Sequence, residues 1–597
     1  MNYQERDKHF RLLADQLKKR YNLLALGRLF FFIFSLALGI FLAQQHWSFA
    51  LSWGILFMVL FLWMVLRHRK VHEAEQHHRL LAEVNRQEHA ALDYRFAEFA
   101  DGAEYADPLH PYASDLDLFG PYSLFQFCNR TVTVAGSRQL AEWMKKASSP
   151  EVVRVRQLAV AELGQQLDWR QHFRAYGLAQ NDEIQYQLSL QKWMQEPLWM
   201  FTNVYLRWAL LVLPIWAIIA LTIIIPSYPI AYVLIAVLPA ALLLRQTFNQ
   251  VNLTLEHTAK AETWLLRYGV LIQQIEHLEV KTEVLKAVQR NFLNADLQFG
   301  ASAAIRRLSY VLGQLQVRNN PFAIFLNLIG LWDLQWVFQL EKWKAKHQLD
   351  LPQWFAALGE MDALCSLANL HHNHPDWAFP VIQTEPILHA EQLGHPLIPA
   401  ERRIGNDLHM ATRQHLKLLT GSNMAGKSTW LRTLGVNIVL AQTGAPVCAQ
   451  ALSIPPLLVF TGMRTQDDLS ASASSFYAEL RRLRALLDQV IAQQGQVQGV
   501  FFLLDEILKG TNSRDRHQGS RALMLQLLRY ESAGFIATHD LELTAMEAEH
   551  PGLIENLCME VNIQEDELFF DYTLKPGISQ SFNASLLMRR MGIGVEE

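Results

Sequence analysis

The sequence predicts two kinds of structure in one chain: an all-α region with two transmembrane helical hairpins, then a C-terminal α/β domain of the P-loop type. Three observations predict this order. Two pairs of apolar runs lie within residues 23–66 and 208–244. Strand patterns alternate with helical patterns after residue 380, and the octapeptide GSNMAGKS occupies residues 421–428 in that part of the chain.

The composition limits the class of protein. The chain has 597 residues, enough for several domains, and with 51% hydrophobic and 18% charged residues it is apolar for a soluble enzyme. A formal net charge of −4 gives no general attraction to nucleic acid. The cysteines are scattered without a CxxC pair: Cys128, Cys365, Cys448 and Cys558. This spacing indicates neither a disulfide framework nor a zinc site, and it fits a reducing compartment.

The first pair of apolar runs predicts a transmembrane hairpin. Residues 23–43 are almost continuously apolar apart from Arg28, residues 47–66 form a second run, and a polar QQH triplet separates them. A helix needs ~20 such residues to cross the hydrocarbon core. Residues 1–20 are mostly polar and no small-residue cleavage site follows the first run, so a cleavable signal peptide is not predicted.

The second pair, residues 208–225 and 230–244, predicts another hairpin joined by the turn PSYP. Basic residues flank the outer ends of both hairpins, and the inner loops have none: Lys18, Lys19, Arg20, Arg28, Arg67, Arg69, Lys70, Arg207 and Arg245. By the positive-inside rule we expect a multi-pass membrane protein with both termini and the α/β domain in the cytoplasm. The alternative is that these runs are buried core helices, and the prolines and shorter arms favour it more for the second hairpin.

The chain divides into five predicted segments. Residues 1–70 carry a cytoplasmic N-terminal helix and the first hairpin, residues 71–205 a cytoplasmic helical region, and residues 206–246 the second hairpin. Residues 247–380 show apolar residues at helical spacing and predict long helices. Residues 381–597 form the α/β domain.

Residues 421–428 have the P-loop pattern G-x-x-x-x-G-K-S between a predicted strand at 415–420 and a helix that starts near Thr429. Glycines let the backbone turn tightly and direct N–H groups at phosphate oxygens, and the helix N-terminus adds positive potential. We expect Lys427 to reach the β and γ phosphates and Ser428 to supply a hydroxyl to Mg²⁺. The candidate nucleotide-binding residues are Gly421, Ser422, Asn423, Met424, Ala425, Gly426, Lys427, Ser428 and Thr429.

Two later strands supply candidate catalytic residues. Residues 500–506 (VFFLLDE) read as an apolar strand that ends in two carboxylates. Asp505 is placed to hold Mg²⁺, and Glu506 to polarise the attacking water. Residues 534–538 (GFIAT) read as a further strand, and His539 at its end can contact the γ-phosphate or that water.

These residues carry a family resemblance. Residues 420–429 (TGSNMAGKST) resemble the TGxNMxGKST motif of the MutS family. Further segments resemble parts of the MutS ATPase in the same order: 467–480 (DDLSASASSFYAEL), 504–515 (LDEILKGTNSRD), 537–544 (ATHDLELT) and 572–581 (YTLKPGISQS). Residues 123–144 resemble the start of the MutS core domain more weakly, as residues 356–368 resemble the segment before the ATPase.

The resemblance implies an α/β P-loop NTPase of the ABC/MutS type that binds ATP with Mg²⁺ and hydrolyses it. It implies that Asn423 touches phosphate and that His395 lies near the nucleotide. It also implies a homodimer in which Ser474 reaches in trans to the partner's nucleotide, with Asp515 in the loop that connects the two sites. The sequence departs from the family pattern where Ser472, Arg516 and Asn583 replace glycines.

The mismatch-recognition domain of the family is not visible, because the first hairpin occupies its place. The family's Phe-x-Glu wedge motif occurs once, at Phe96–Glu98, in a helical pattern that reads as a chance match. The sequence therefore favours a membrane-anchored MutS-like ATPase homodimer that couples hydrolysis to movement of helical arms. Two alternatives stay open: a membrane-tethered protein that binds mismatched or branched DNA, and an ATP-gated scaffold or transporter-like ATPase.

Overall fold

The computed structural model describes residues 2–179, 184–258, 261–293, 300–422, 425–464, 475–564 and 567–579. Its N-terminal part is mostly helical and the residues after 380 form an α/β domain with mixed sheets, which confirms the predicted order of the two classes. The helices are α1 (Tyr3–Gln45), α2 (Trp47–Leu92), α3 (Leu124–Cys128), α4 (Val134–Lys145), α5 (Pro150–Gly164), α6 (Leu167–Leu178), α7 (Ile184–Gln195), α8 (Val204–Ser227), α9 (Val233–Thr258), α10 (Ala261–Glu276), α11 (Glu283–Arg290), α12 (Gly300–Gln316), α13 (Ala323–Gly330), α14 (Trp332–His347), α15 (Asp350–Asn373), α16 (Lys427–Thr443), α17 (Ser475–Ala492), α18 (Ser513–Arg529) and α19 (Met546–Glu549). The strands are β1 (Val381–Ile382), β2 (Ile387–Leu393), β3 (Asn406–Ala411), β4 (His415–Thr420), β5 (Ala451–Ile454), β6 (Leu457–Gly462), β7 (Gly499–Asp505), β8 (Ala533–Ala537), β9 (Ile554–Cys558), β10 (Val561–Gln564), β11 (Glu567–Phe570) and β12 (Lys575–Pro576).

The chain packs as two compact units. The helical unit comprises residues 1–89, 132–136 and 168–361, and the sheet unit comprises residues 90–131, 137–167 and 362–597. Residues 90–131 and 137–167 therefore pack with the C-terminal domain, although they lie far from it in the sequence.

Four helices of the helical unit, α1, α2, α8 and α9, are long and apolar enough to cross a membrane. A core helix buries most of its apolar side chains. In these four helices only 6%, 0%, 17% and 17% of the most apolar stretch is buried. The apolar side chains therefore face outward, contrary to what the core-helix alternative requires.

The connection between the second pair of these helices begins later than the sequence predicted, since α8 ends at Ser227 and α9 begins at Val233. The helix α8 continues through Pro226 to Ser227, and the Tyr228 N–H donates to the Ile224 carbonyl oxygen at 2.9 Å. This bond closes the last turn, so Pro226 lies inside the helix and not in the connecting loop.

The core of the helical unit forms where α10, α12, α14 and α15 meet. Trp264 and Tyr268 of α10 are almost fully buried. Their rings contact Phe355 of α15 edge-on, with centroid distances of 5.4 and 5.2 Å. Edge-to-face aromatic pairs add stability beyond the burial of their area.

The sheet unit contains a six-stranded sheet of order β12-β9-β4-β8-β7-β6, in which only β12 runs antiparallel. A second sheet has four strands in the order β1-β5-β2-β3. Parallel strands bring their carboxyl ends to one edge of a sheet. In the register, Ala537 of β8 lies between Leu419 of β4 and Asp505 of β7. The residues that follow β4, β7 and β8 therefore meet at that edge.

Candidate functional site

The predicted phosphate-binding loop joins the central strand β4 to α16. The strand ends at Thr420 and the helix begins at Lys427, so the strand–loop–helix order is the predicted one. Within the loop Ala425 is buried. Asn423 and Met424 lie outside the described residues.

Two glycines of the loop cannot be replaced without strain. Gly421 has φ of 147°, and a Cβ atom there would lie 2.5 Å from the Met559 carbonyl oxygen. Gly426 has φ of 98°, and its Cβ would lie 2.8 Å from Cδ1 of Tyr572. Both contacts and both φ values require the absence of a side chain. The glycines of the motif therefore fix the backbone path around the phosphate site.

The predicted phosphate-binding lysine is buried at the mouth of the loop. Lys427 is 2% exposed, and its Nζ donates to the carbonyl oxygens of Gly421 at 2.7 Å and Ser422 at 2.9 Å. Burial lowers the pKa of Lys427, although Asp505 and Glu506 oppose the effect. The carbonyl oxygens hold the Lys427 ammonium in position but do not cancel its positive charge. The ammonium can therefore attract a phosphate group.

The two predicted magnesium ligands are adjacent. The Ser428 hydroxyl donates to Asp505 Oδ2 at 2.5 Å. The other carboxylate oxygen, Asp505 Oδ1, is buried and has no hydrogen-bond partner among the described residues. Mg²⁺ prefers oxygen ligands, and a buried carboxylate oxygen without a hydrogen-bond partner calls for an explanation such as a bound ion. The Ser428 hydroxyl and the Asp505 carboxylate supply such ligands. These two residues therefore fit the metal.

The predicted catalytic glutamate follows β7 in an uncommon backbone conformation. Glu506 has φ of 49°, and its N–H donates to the Ala537 carbonyl oxygen at 2.9 Å. Positive φ is uncommon for a residue with a side chain, and it recurs at functional sites. Burial would raise the pKa of Glu506, but Lys509, with His539 and Lys427, outweighs burial and lowers it. The carboxylate is therefore ionised at neutral pH.

The predicted histidine joins this group from β8. His539 Nε2 lies 3.0 Å from Glu506 Oε1 and 3.3 Å from Lys427 Nζ. Burial and then Lys427 lower the pKa of His539, while Glu506 acts in the opposite direction. The imidazole is therefore neutral at pH 7, and one ring nitrogen can accept a hydrogen bond. Residues from three strands thus meet within hydrogen-bond reach.

The comparisons with known proteins concern the part of the chain that carries this site. Residues 417–587 match the family model described as MutS domain V. Over these residues the chain is similar to the MutS family. It is 31% identical over 241 residues to the DNA mismatch repair protein MutS of Carboxydothermus hydrogenoformans, covering 39% of this chain and 28% of that protein. It is also 31% identical over 230 residues to the DNA mismatch repair protein MutS of Natronomonas pharaonis, covering 38% and 26%. The chain thus spans less than a third of each of these MutS proteins.

His395, which the resemblance placed near the nucleotide, precedes the matched MutS domain. Its loop is tied to α16 because Asn437 Nδ2 donates to the Gly394 carbonyl oxygen at 3.0 Å. Burial, with the charges of Arg432 and Arg403, lowers the pKa of His395 to about 4. The ring is therefore neutral and fixed beside the phosphate-loop helix.

The remaining predicted site residues are Thr429 and Ser474. Thr429 lies in the first turn of α16 and is exposed. Ser474, predicted to act in trans, lies outside the described residues.

Sequence reasoning missed two residues of the site. Lys509 Nζ lies 3.2 Å from Glu506 Oε2, so a second cation contacts the predicted catalytic carboxylate. The ring of Tyr572 lies against Gly426 of the phosphate loop and stacks on Phe570 with centroids 5.9 Å apart. Lys509 stands three residues after Glu506 in the MutS-like segment 504–515, and that position is the signal that could have indicated it.

The structure also links a remote loop to the MutS domain. Asp115, in the segment between α2 and α3, is 4% exposed and accepts a hydrogen bond from Thr461 Oγ1 at 2.7 Å. The same carboxylate accepts the backbone N–H groups of Met463 at 3.2 Å and Arg464 at 3.0 Å. It therefore fixes the end of β6, directly before the segment that carries Ser474.

Proposed function

We propose that this protein is a membrane-anchored ATPase that binds ATP with Mg²⁺ at the phosphate loop and hydrolyses it. One observation carries the proposal: Lys427, Asp505, Glu506 and His539 meet at the carboxyl ends of β4, β7 and β8. The match of residues 417–587 to MutS domain V supports the same activity.

Each residue has a role that its surroundings support. Lys427 binds the β and γ phosphate oxygens in place of the loop carbonyl oxygens that accept its hydrogen bonds. Ser428 and Asp505 hold Mg²⁺, which when bound neutralises charge on the phosphate oxygens. Glu506 is ionised and accepts a hydrogen bond from the attacking water, and neutral His539 orients that water or the γ-phosphate.

Membrane anchoring is supported by α1, α2, α8 and α9, whose apolar side chains face away from the protein. Exposed apolar surface of this extent is stable in lipid and not in water. The basic residues outside each hairpin support a cytoplasmic location for both termini and the ATPase domain.

We further propose that the active form is a homodimer whose ATP sites are completed in trans by Ser474. The homodimer proposal rests on the family resemblance of residues 467–480. It also rests on the position of Ser474 in the sequence, between β6 and α17. Closing the dimer on ATP would move helices attached to the domain, and this movement is the proposed coupling to the helical arms.

The test is ATP turnover by the full chain in lipid nanodiscs. Removing a group that stabilises transition-state charge costs about 100- to 1,000-fold in turnover, and we expect losses of this size for Lys427→Ala and Glu506→Gln. Glu506→Gln should still bind a fluorescent ATP analogue, because the phosphate-binding groups stay intact. Arg484→Ala, on an exposed face of α17, is the matched control. Normal turnover in both site variants would contradict the proposal.

A second candidate function is DNA binding, because the two similar proteins are DNA mismatch repair proteins. The Phe-x-Glu motif does not support mismatch reading, since Phe96 is 4% exposed and its ring packs against Tyr122 and Phe127. A gel-shift assay with homoduplex, mismatched and branched DNA at stated low salt tests this function. Absence of binding to all three would remove it.

A further inference from the structure

We propose that α13 (Ala323–Gly330) is a membrane-embedded half-helix, a fifth lipid-contacting element that the sequence did not reveal. Its sequence is AIFLNLIG, with Asn327 as the single polar side chain. The inference rests on the proposed membrane anchoring, because the occupant of the exposed face of α13 is the same bilayer that surrounds the second hairpin.

Among the residues that the structure describes, no element covers the apolar face of α13 formed by residues 322–325. Phe322, directly before the helix, is 73% exposed, and Ile324 and Phe325 are 60% and 61% exposed. Three large adjacent apolar side chains at this exposure form a patch that water disfavours.

The position of α13 identifies lipid as the partner. The helix packs against α8 and α9, the arms of the second hairpin. Ile324 and Pro321 line a cavity of about 500 Å³ together with Leu244 and Phe248 of α9. The α13 patch is therefore continuous with the outward-facing apolar surface of the hairpin.

The contacts of the neighbouring residues also indicate how deep α13 lies in the bilayer. Gln335 Nε2, just after the bend, donates to the Leu210 carbonyl oxygen of α8 at 2.8 Å. Leu210 and Leu244 lie within a turn of Arg207 and Arg245, the basic residues at the predicted cytoplasmic ends of the hairpin. The structure therefore places α13 at the cytoplasmic side of the bilayer.

The helix enters the membrane without crossing it. Eight residues at 1.5 Å each give about 12 Å, less than half of the ~30 Å hydrocarbon thickness. After Leu331, which has φ of 52°, the chain bends by 75° into α14. The helix α14 carries Glu341 and Lys344, each at most 3% exposed and bonded to backbone groups of residues 193–201. It is therefore held by protein and is not a second half of a span.

Several polar groups at the two ends of α13 have partners, which lowers the cost of a low-dielectric surrounding, although the buried Asp333 Oδ1 has no hydrogen-bond partner among the described residues. Asn320 Oδ1 accepts the Phe322 N–H at 3.0 Å before the helix, and Asn327 Oδ1 accepts the Asp333 N–H at 2.9 Å at the bend. The guanidinium of Arg318 lies 3.4 Å from the Asp333 carboxylate, so this charge is also paired.

The test measures the lipid exposure of single labelled positions in the full chain. The native cysteines Cys128, Cys365, Cys448 and Cys558 are buried, so an added exposed cysteine reacts selectively. Phe325→Cys probes α13, Ile219→Cys probes α8 at 53% exposure, and Leu349→Cys probes a position of the helical unit at 76% exposure. Each variant is labelled with an environment-sensitive fluorophore in liposomes. The fluorescence of the label is then measured with two quenchers, lipids brominated on the acyl chain and aqueous iodide.

We expect the Phe325 label to be quenched by brominated lipid to the same extent as the Ile219 label, and the Leu349 label by iodide only. Quenching of the Phe325 label by iodide alone, or protection from both quenchers by a second protein surface, would overturn the proposal for α13. Absence of lipid quenching at Ile219 would count against the spanning hairpin itself. The two failures are therefore distinguished.

Discussion

His539 Nε2 and Glu506 Oε1 lie 3.0 Å apart, although 33 residues separate them in the sequence. The contact forms because β7 and β8 are neighbouring parallel strands, with Asp505 paired to Ala537. It joins an ionised carboxylate to an imidazole whose pKa is lowered by burial and by Lys427. The neutral imidazole can donate its Nε2 hydrogen to the carboxylate, and this contact fixes the two side chains relative to each other.

The first prediction is that the two residues act as a unit. A positioned acid–base group contributes about 100-fold or more to rate, so His539→Ala and Glu506→Gln should each reduce kcat by at least that amount. The double variant should lose little more than Glu506→Gln alone, because residues that share one task are non-additive. The measurement is the steady-state ATPase rate of the wild type, the two single variants and the double variant. If the fold-loss of the double variant equals the product of the two single fold-losses, the residues act independently.

The second prediction concerns the pH dependence of turnover. Lys509 is the main group that holds the pKa of Glu506 below its ordinary value against the effect of burial. In Lys509→Ala burial dominates, the pKa of Glu506 rises, and the ionised form is lost at a higher pH as the solution is acidified. The acid limb of the kcat profile should move to higher pH, whereas Lys509→Arg should keep it in place. An unmoved limb in Lys509→Ala would exclude this electrostatic role.

The third prediction concerns stability. The buried Asp115 carboxylate accepts two backbone N–H groups and one hydroxyl. Asp115→Asn removes the charge and turns an NH₂ group toward these donors, so we expect a loss of about 1–3 kcal/mol in the free energy of unfolding. Glu104→Gln, in the same loop, is the control and should be near neutral. Chemical denaturation measures both, and an unchanged Asp115→Asn protein would show that the loop is not fixed by this carboxylate.

The fourth prediction concerns the helical unit and acid. His77 Nε2 lies 2.8 Å from His172 Nδ1, and the His77 ring stacks on Tyr176. Burial, and then His172, lower the pKa of His77 to about 4.

An unfolded chain protonates this histidine near pH 6.5, and the folded chain protonates it only near pH 4. The unfolded state therefore binds more protons between these values, and stability is full above pH 6.5 and falls as pH decreases toward 4. His77→Gln should flatten this part of the profile, and His389→Gln, a partly exposed site on β2, should not. Thermal unfolding from pH 7.5 to 4.5 tests the difference, and equal slopes in the two variants would contradict it.

Much of the site could be predicted because its residues follow a local pattern. The order of apolar strand, glycine loop and Lys427 requires only sequence spacing, and the predicted strand at 415–420 coincides with β4. The carboxylates Asp505 and Glu506 were found in the same way, from their position at the end of an apolar run. Lys509 and Tyr572 were missed because neither lies in a motif that by itself indicates phosphate chemistry. Their approach to Glu506 and Gly426 depends on turns that the sequence does not specify.

The sequence by itself determined the order of helical and α/β regions, the phosphate loop and the four long apolar helices, because local periodicity and spacing control each of these features. Only the tertiary structure decided that His539 contacts Glu506, that Asp115 fixes the end of β6, and that α13 leaves its apolar face uncovered beside α8 and α9. Strand order and helix packing bring together residues that are distant in sequence, and no local pattern encodes which of them meet. The same apolar octapeptide at 323–330 would be a core helix if a neighbour covered it. In this fold the side chains of Ile324, Phe325 and Leu326 are exposed.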